Sequence, residues 1–284
     1  MALIPLPMLM NRARDLWCIL AGAQVAFPPA GVAVVVSPHS LLCPPGWSGV
    51  ISLGPSAIAT VPDPALRGPV SAALQHLPAS EITDPRQVRA ALPIAEILGP
   101  AALAYTDETL FSPPGAVSLS ATPLSSAPPP SAPPLAAPPP SAPPLAAAPL
   151  SADSASAASF SASSVAADDP GLAALLSKAS KDDAGESGLD EITSAAQIIR
   201  RGDEVVAAAG WQRWPTGVAH VSVLTAPDHR GRGLAHAVAG RAVADALNAG
   251  LLPQWRARPL ASRRVARALG FRELGSQLSF RLTD

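Results

Sequence analysis

The feature that most constrains this chain is a long run of Pro, Ala and Ser in its middle, at residues 114–168. Within it, SAPPLAAPPP at 131–140 is nearly repeated by SAPPLAAAPL at 141–150. Proline lacks an amide donor, and Ala and Ser bury too little apolar surface to offset the entropy of ordering. We therefore predict a disordered, semi-stiff linker that separates an N-terminal region, 1–113, from a C-terminal domain, 169–284. A docking site for a Pro-reading domain is the alternative.

Net charge and cysteine content limit the partners and the compartment. The 284 residues carry a net charge of −1, without the basic surplus that nucleic-acid binding requires. Cys18 and Cys43 are too few for a disulfide framework, which favours a reducing, cytoplasmic location. The uncharged stretch 16–37 is broken by Gly and Pro, so it predicts a helix followed by a buried strand rather than a membrane span. We expect no nucleic acid, no membrane and no metal among the partners.

Hydrophobic periodicity, with Gly and Pro as breaks, predicts a mixed α/β fold on both sides of the linker. In the N-terminal region the pattern predicts helices at 11–21, 63–77 and 84–92, and strands at 32–36, 49–53, 57–61 and 101–105. In the C-terminal domain it predicts helices at 171–180, 186–192, 233–249 and 262–269. The predicted strands there are 196–200, 204–211, 218–225, 251–256 and a final strand or hairpin at 273–282.

A turn rich in glycine and arginine joins the predicted strand 218–225 to the long helix that follows. The turn and the first helical residues read Arg230-Gly-Arg-Gly-Leu-Ala235. A helix N-terminus has unpaired amides and a partial positive charge, so it binds phosphate. Gly231 and Gly233 let the backbone approach a pyrophosphate closely, and the two arginines add charged donors. The pattern therefore predicts a phosphate-binding turn.

These residues resemble the GNAT acetyltransferase superfamily. Its signature follows the fourth strand and has Gln or Arg, then Gly three residues on, then Gly or Ala; Arg230, Gly233 and Ala235 fill it. The family's short helix ending in Gly-Phe before a strand is similar to residues 262–271. The resemblance covers most of 169–284 and implies a central mixed or antiparallel sheet flanked by helices. A dinucleotide-binding fold fits less well, because its glycine motif follows the first strand of a βαβ unit.

The resemblance implies an acetyl-CoA-dependent N-acetyltransferase that acts on an amine of a small molecule or a peptide. Acetyl-CoA, as co-substrate, would lie in a V-shaped gap between the strands 218–225 and 251–256, where the amine attacks the thioester directly. The residues implied in binding it are Val223, Leu224, Thr225, Arg230, Gly231, Arg232, Gly233, Leu234, Ala235 and Ser262. A basic cluster, arginines 256, 258, 263, 264 and 267, is mostly a solvated face, of which one or two could meet the 3′-phosphate of the cofactor or an acidic acceptor.

The sequence departs from the family pattern at the general base and the general acid. Ala219 and Gln254 stand where some members have a Glu, and Ala266 stands where the frequent Tyr acid would be. Pro259 replaces an Asn that contacts the cofactor. A catalytically silent acyl-CoA-binding or regulatory module is therefore the main alternative function. An interaction protein that works through its Pro-rich segment is a third.

Three other residues are candidates for the missing proton transfer. His220 is a candidate because histidine ordinarily titrates near neutral pH, but strand alternation predicts that it lies on the face opposite to Ala219 and Val221, away from the usual site. Glu186 and Glu191 lie in the helical region that shapes the acceptor pocket in this family. We expect the catalytic groups among His220 and these two carboxylates.

The role of the N-terminal region has two interpretations. The C-terminal domain has little sequence before its first helices, so residues 1–113 either supply structure that the family's fold needs or form a degenerate copy of the same domain. The helix 84–92, followed by Leu98-Gly99-Pro100 and a strand, echoes the pattern of 262–282 and is the basis for the second. The N-terminal region has no phosphate-binding turn, so we expect no second cofactor there.

Overall fold

Ten strands of the described residues, 6–115 and 160–283 of this computed structural model, form one sheet flanked by helices. The strands are β1 (Gly31–Val36), β2 (Ser48–Leu53), β3 (Ser56–Val61), β4 (Ile94–Tyr105), β5 (Phe160–Val165), β6 (Ala196–Arg201), β7 (Glu204–Trp214), β8 (Val218–Thr225), β9 (Leu252–Ala257) and β10 (Arg272–Leu282). The helices are α1 (Leu6–Leu20), α2 (Pro64–Gln75), α3 (Pro85–Ala91), α4 (Pro170–Lys178), α5 (Lys181–Ser187), α6 (Leu234–Asn248) and α7 (Leu260–Ala268).

The sheet is mostly antiparallel. Its strand order is β1-β3-β2-β10-β4-β9-β8-β7-β6-β5, and among these neighbours β1–β3 and β8–β9 pair in parallel. The predicted mixed α/β class, with a GNAT-like sheet flanked by helices, is therefore confirmed. No helix of the described part of the chain is both long and apolar enough to cross a bilayer.

Three helices begin at an Asp-Pro pair. Asp63, Asp84 and Asp169 are the N-cap residues of α2, α3 and α4, and each carboxylate accepts a hydrogen bond from the amide two residues later, at 2.7, 2.7 and 2.8 Å. Proline follows at the start of each helix. A backbone amide has no intrahelical acceptor at this position, so the lack of an N–H in proline costs no hydrogen bond. Each cap contributes about 1 kcal/mol to helix stability. These local signals explain why the three predicted helices are confirmed to within a few residues.

Strand β4 belongs to the N-terminal region but lies between two strands of the C-terminal domain, β9 and β10. It pairs antiparallel with β9 on one side, from Ala102↔Ala257 to Tyr105↔Gln254, and with β10 on the other. Strand β10 in turn pairs with β2, so it lies between two strands of the N-terminal region. The two regions thus share one continuous sheet. The division at residues 113 and 169 stays a prediction.

The two regions also share a buried core. Trp17 of α1 packs in the same cluster as Val218 of β8 and Leu252 of β9. Its Nε1 donates a hydrogen bond of 2.7 Å to the hydroxyl of Tyr105, which is fully buried in β4. A buried hydroxyl and a buried indole N–H both need a partner, and here each satisfies the other. Helix α1 therefore covers the sheet next to the strands that build the candidate site.

The predicted linker ends earlier than its composition indicates. Phe160–Val165, inside the predicted linker, forms β5 and pairs antiparallel with β6 along its whole length. Phe160 packs edge-on against His229, with ring centroids 6.2 Å apart. The prediction of disorder is therefore corrected for 160–165, because the edge of β6 orders a segment that is too poor in apolar residues to show a strand pattern. Residues 116–159 of the predicted linker lie outside the described residues.

One further helix differs from its prediction, and α1 and β4 begin earlier than predicted, at Leu6 and Ile94. The helix predicted at 186–192 is instead the end of α5 and a separate 3₁₀ turn at Leu189–Glu191. Gly188 causes the break, because its left-handed backbone, φ 58°, ends the helix. The predicted strand or hairpin at 273–282 is a single strand, β10, paired on both edges.

Candidate functional site

Strands β8 and β9 pair over only part of their length. Their parallel register runs from Val218↔Leu252 to His220↔Gln254. Beyond that point β8 stays paired with β7 up to Thr225, and β9 stays paired with β4 up to Ala257. The two strands therefore separate after His220. The sheet opens there into the V-shaped gap that the sequence predicted.

A cleft of about 500 Å³ occupies this gap. All the predicted cofactor-binding residues except Arg232 line it, which are Val223, Leu224, Thr225, Arg230, Gly231, Gly233, Leu234, Ala235 and Ser262. Arg232 is exposed and donates to the Asp228 carbonyl at 3.4 Å instead. Trp255 and Ala257 of β9 line the opposite wall. The turn, the strand end and the start of α7 thus meet in one place.

The start of α6 has the backbone features of an anion-binding turn. Gly231 and Gly233 have φ of 74° and 75°, a left-handed conformation that a side chain would strain. Gly233 is the N-cap of α6 and provides no side-chain acceptor, so the first amides of the helix have no intrahelical partner. The Thr225 hydroxyl, on the cleft wall, is buried without a hydrogen-bond partner. Free amides, the positive end of the helix and an unpaired hydroxyl fit a ligand that carries phosphate.

Arg230 links this turn to α5. Its Nη2 lies 3.0 Å from the Asp183 carboxylate, and both side chains are about half exposed. A hydrogen bond from Ser180 and the contact with Arg230 lower the pKa of Asp183. An exposed pair of this kind contributes little to stability, so a phosphate can replace Asp183 as the partner of Arg230 at small cost.

A second cavity of about 200 Å³ adjoins the cleft. Its walls come from β4, α5, β8, the end of β9 and β10, and include Leu98, Glu186, His220, Arg258, Gln277 and Ser279. Glu186, Ser187 and Arg256 line both this cavity and the cleft. The two spaces therefore meet at α5 and the end of β9. Because β4 forms one wall, the N-terminal region contributes to the site.

His220 is held as a neutral imidazole. Only 8% of its surface is exposed, and its ring stacks on Trp214 with centroids 4.2 Å apart. Its Nδ1 lies 2.5 Å from the Oε1 of Gln254; with the Gln254 amide in this orientation Nδ1 donates the hydrogen bond, which assigns the lone pair to Nε2. Burial and the nearby charge of Arg256 lower the pKa of His220 to about 3. At neutral pH the imidazole is therefore unprotonated on Nε2, which leaves this nitrogen available as a proton acceptor.

The structure brings His220 and Glu186 together and leaves Glu191 apart. Alternation does place His220 opposite Ala219, on the face that α5 covers, where it lines the second cavity and not the cleft. Glu186 forms an ion pair with Arg258. Glu191 is exposed on the 3₁₀ turn and lines neither space.

The sequence interpretation missed the roles of Gln254 and Gln277, and it named Arg256 only as one of five arginines in a basic cluster. Gln254, which cannot be a base, fixes the tautomer of His220. Gln277 and Arg256 line the second cavity, and Gln277 donates to the Leu42 carbonyl at 2.6 Å. The sequence did contain a signal for these residues: they are polar residues in otherwise apolar strands, and buried polar residues need hydrogen-bond partners. Over residues 6–115 and 160–283, no group of three or more His, Cys, Asp or Glu side chains is placed to hold a metal ion.

The low pKa of His220 predicts a pH-dependent stability. In the unfolded chain His220 binds a proton below about pH 6.5, whereas the folded chain resists protonation down to about pH 3. The unfolded state therefore binds more protons in this window, and the free energy of unfolding falls as the pH is lowered, by about 1.4 kcal/mol per pH unit. Urea unfolding of the wild type and His220→Asn at pH 7 and pH 5 checks this.

We expect the wild type to lose about 2 kcal/mol more than His220→Asn between these two pH values. The exposed His39, changed in the same way, serves as the control and should behave as the wild type. Equal losses in the wild type and His220→Asn would show that His220 is protonated normally in the folded state.

A family comparison covers the elements that build the cleft. The GNAT acetyltransferase family model matches residues 197–276. The GCN5-related N-acetyltransferase from Kribbella flavida has 17% sequence identity and a TM-score of 0.47, covering 95% of this chain and 93% of that one. The GCN5-related N-acetyltransferase-like protein from Streptococcus suis has 23% identity and a TM-score of 0.34, covering 45% and 53%. No curated protein matches the chain. With the predicted motif, the family match identifies the C-terminal part of this chain as a domain of the GNAT acetyltransferase superfamily.

Proposed function

We propose that this protein transfers an acetyl group from acetyl-CoA to an amine of a small molecule or a peptide. The observation that carries the proposal is the meeting of two spaces. The cleft at the start of α6 fits a phosphate-bearing ligand, and the adjoining cavity holds a neutral imidazole with a free lone pair. An acyl donor in the first space and an amine in the second would meet at Glu186, Ser187 and Arg256.

The binding roles follow from the walls of the cleft. The amides at the start of α6 and the Arg230 guanidinium hold the pyrophosphate. The edge of β8 at Val223–Thr225, which β9 leaves unpaired, offers backbone hydrogen bonds to an extended pantetheine arm. Ser262 and Arg264 of α7 close the opposite side of the cleft. Acetyl-CoA, when bound, supplies the thioester carbonyl that the amine attacks.

His220 is the residue we assign to proton transfer. Its Nε2 takes a proton from the acceptor nitrogen while the new C–N bond forms and the C–S bond breaks. The proton leaves with the thiol of coenzyme A, so each turnover converts one amine and one thioester into one amide and one thiol. Gln254 keeps the proton of the ring on Nδ1, and so keeps Nε2 ready to accept. Glu186 forms an ion pair with Arg258, which makes Glu186 the weaker candidate base.

The compartment is part of the same proposal. Cys18 and Cys43 are both free thiols within the described residues. Free thiols persist in a reducing compartment, which supports the cytoplasm as the location of the protein.

A silent acyl-CoA-binding module is the second candidate function. It is favoured by Ala266, which is 3% exposed and packs in the core where a Tyr acid would stand in the family. Buried alanine offers no proton to the leaving thiolate. In this case the cleft binds acyl-CoA but no amine is acetylated.

Calorimetric titration with acetyl-CoA, followed by an amine panel, separates the candidates. We expect micromolar binding of acetyl-CoA and coenzyme A and none of NADH, which needs a different glycine motif. Release of free thiol that depends on an added amine supports the enzyme. Binding without amine-dependent thiol release supports the silent module. No binding of acetyl-CoA would exclude both the enzyme and the silent module.

A further inference from the structure

Arg256 occupies the junction of the two spaces. It lies near the end of β9, in register with Leu103 of β4, and beyond the point where β8 separates from β9. It lines both the cleft and the second cavity. Its polar contact there is a long one, 3.5 Å from Nη1 to the Oε1 of Gln277. Its guanidinium therefore faces space in which a ligand can bind.

The second cavity carries one uncompensated positive charge. The charges of Glu186 and Arg258 cancel in their ion pair, and His220 is neutral. Arg256 forms no salt bridge with any carboxylate of residues 6–115 and 160–283. The Arg256 side chain as a whole is exposed, but protein atoms around it desolvate its charge and lower its pKa, which the charge of Glu191, outside the cavity, opposes in part. A guanidinium stays charged in proteins, so this site gains from an anionic ligand group.

We propose that the acceptor amine carries a carboxylate, and that Arg256 binds it. This inference rests on the proposed acetyl transfer and names the class of acceptor: a small amino acid or a molecule with the same two groups. The planar guanidinium matches a carboxylate through two parallel hydrogen bonds. The volume of about 200 Å³ limits the acceptor to a small group, and His220 in the same cavity faces its nitrogen.

A bound carboxylate would also change His220. Burial is the main reason for the low pKa of His220, and the positive charge of Arg256 is the second. An anion on Arg256 offsets that second contribution and makes the imidazole more basic. We therefore expect a carboxylate acceptor to have a higher kcat as well as a lower KM than its uncharged analogue. A purely structural role of Arg256 would not produce this difference.

The test compares acids with their uncharged amides, with kcat/KM expressed per free amine because the amide also makes the amine less basic. Glycine, β-alanine and γ-aminobutyrate are each assayed beside their primary carboxamides, with acetyl-CoA saturating and free thiol as the readout. We expect kcat/KM of the best acid to exceed that of its amide by about 30-fold, as for one charge-assisted contact. In Arg256→Gln this preference should vanish, while Arg272→Gln, the same change on the exposed start of β10, should keep it.

Separate readouts distinguish this proposal from the proposed function. Arg256→Gln should bind acetyl-CoA within about threefold of the wild type; a loss of that affinity equal to the loss of kcat/KM would assign Arg256 to the cofactor and overturn the inference. Equal use of acids and amides by the wild type would overturn it too. If the wild type acetylates nothing, titration of the same acids into the protein saturated with coenzyme A decides. Binding that needs Arg256 supports the anion site, and no binding rejects it.

Discussion

Replacing Gly233 by valine is expected to weaken acetyl-CoA binding by at least 100-fold. The Cβ at this position would point into open space at the mouth of the cleft, so the fold can accommodate it, but the branched side chain then stands where a pyrophosphate would approach the amides of α6. The positive φ of 75° adds strain, which pulls the turn away from its anion-binding conformation. Calorimetric titration with acetyl-CoA measures the effect.

The same helix offers a matched control. Gly250 follows the C-terminal end of α6 with φ 71°, and a Cβ there also meets open space. Gly250→Val therefore introduces a similar backbone strain at the other end of the helix, far from the turn. We expect it to lower the melting temperature as much as Gly233→Val but to leave the affinity for acetyl-CoA within threefold of the wild type. Normal binding in Gly233→Val would remove the phosphate-binding assignment.

Replacing His220 by asparagine is expected to lower kcat by about 100-fold, the lower end of the usual range for a general base. The lower end applies because a pKa of about 3 makes the imidazole a weak base in the empty site. The side-chain NH₂ of asparagine can donate to Gln254 in place of the histidine Nδ1. The variant therefore removes Nε2 while it disturbs the core little. Steady-state kinetics with saturating acetyl-CoA gives the value.

Glu186→Gln is the comparison that tests this assignment. It removes the carboxylate that competes for the role of base, and with it the ion pair to Arg258. We expect Glu186→Gln to raise KM for the acceptor and to change kcat by less than tenfold. If Glu186→Gln instead loses kcat while His220→Asn keeps it, Glu186 is the base. Acetyl-CoA affinity should be unchanged in His220→Asn, because His220 lies outside the cleft.

Local patterns predicted the elements of the site well. Strand β8 coincides with its predicted range, and α6 begins one residue after its prediction, because alternation and a glycine turn are signals carried within a few residues. The residues that the family resemblance implied in cofactor binding line one cleft, apart from Arg232. Whether these residues bind acetyl-CoA stays a prediction.

Long-range relations explain what the sequence did not reveal. The pairing of β4 with β9 and β10 joins residues far apart in the chain, and no pattern within β4 specifies its neighbours. Alternation separated His220 from Ala219 correctly, but the face that bears the cavity is decided by where α5 packs. Strand β5 forms because β6 offers a free edge rather than through its own composition. Tertiary contacts overrode local propensity in each case.

The position of β10 sets the order in which this protein can be completed during synthesis. Strand β10 is the connection in the sheet between β2 and β4, although both of those strands are made long before it. Until β10 emerges from the ribosome, β2 and β4 each have an open edge that a neighbouring nascent chain can pair with. We therefore expect the closing of the sheet to be a slow step of folding, since it is a non-local strand insertion.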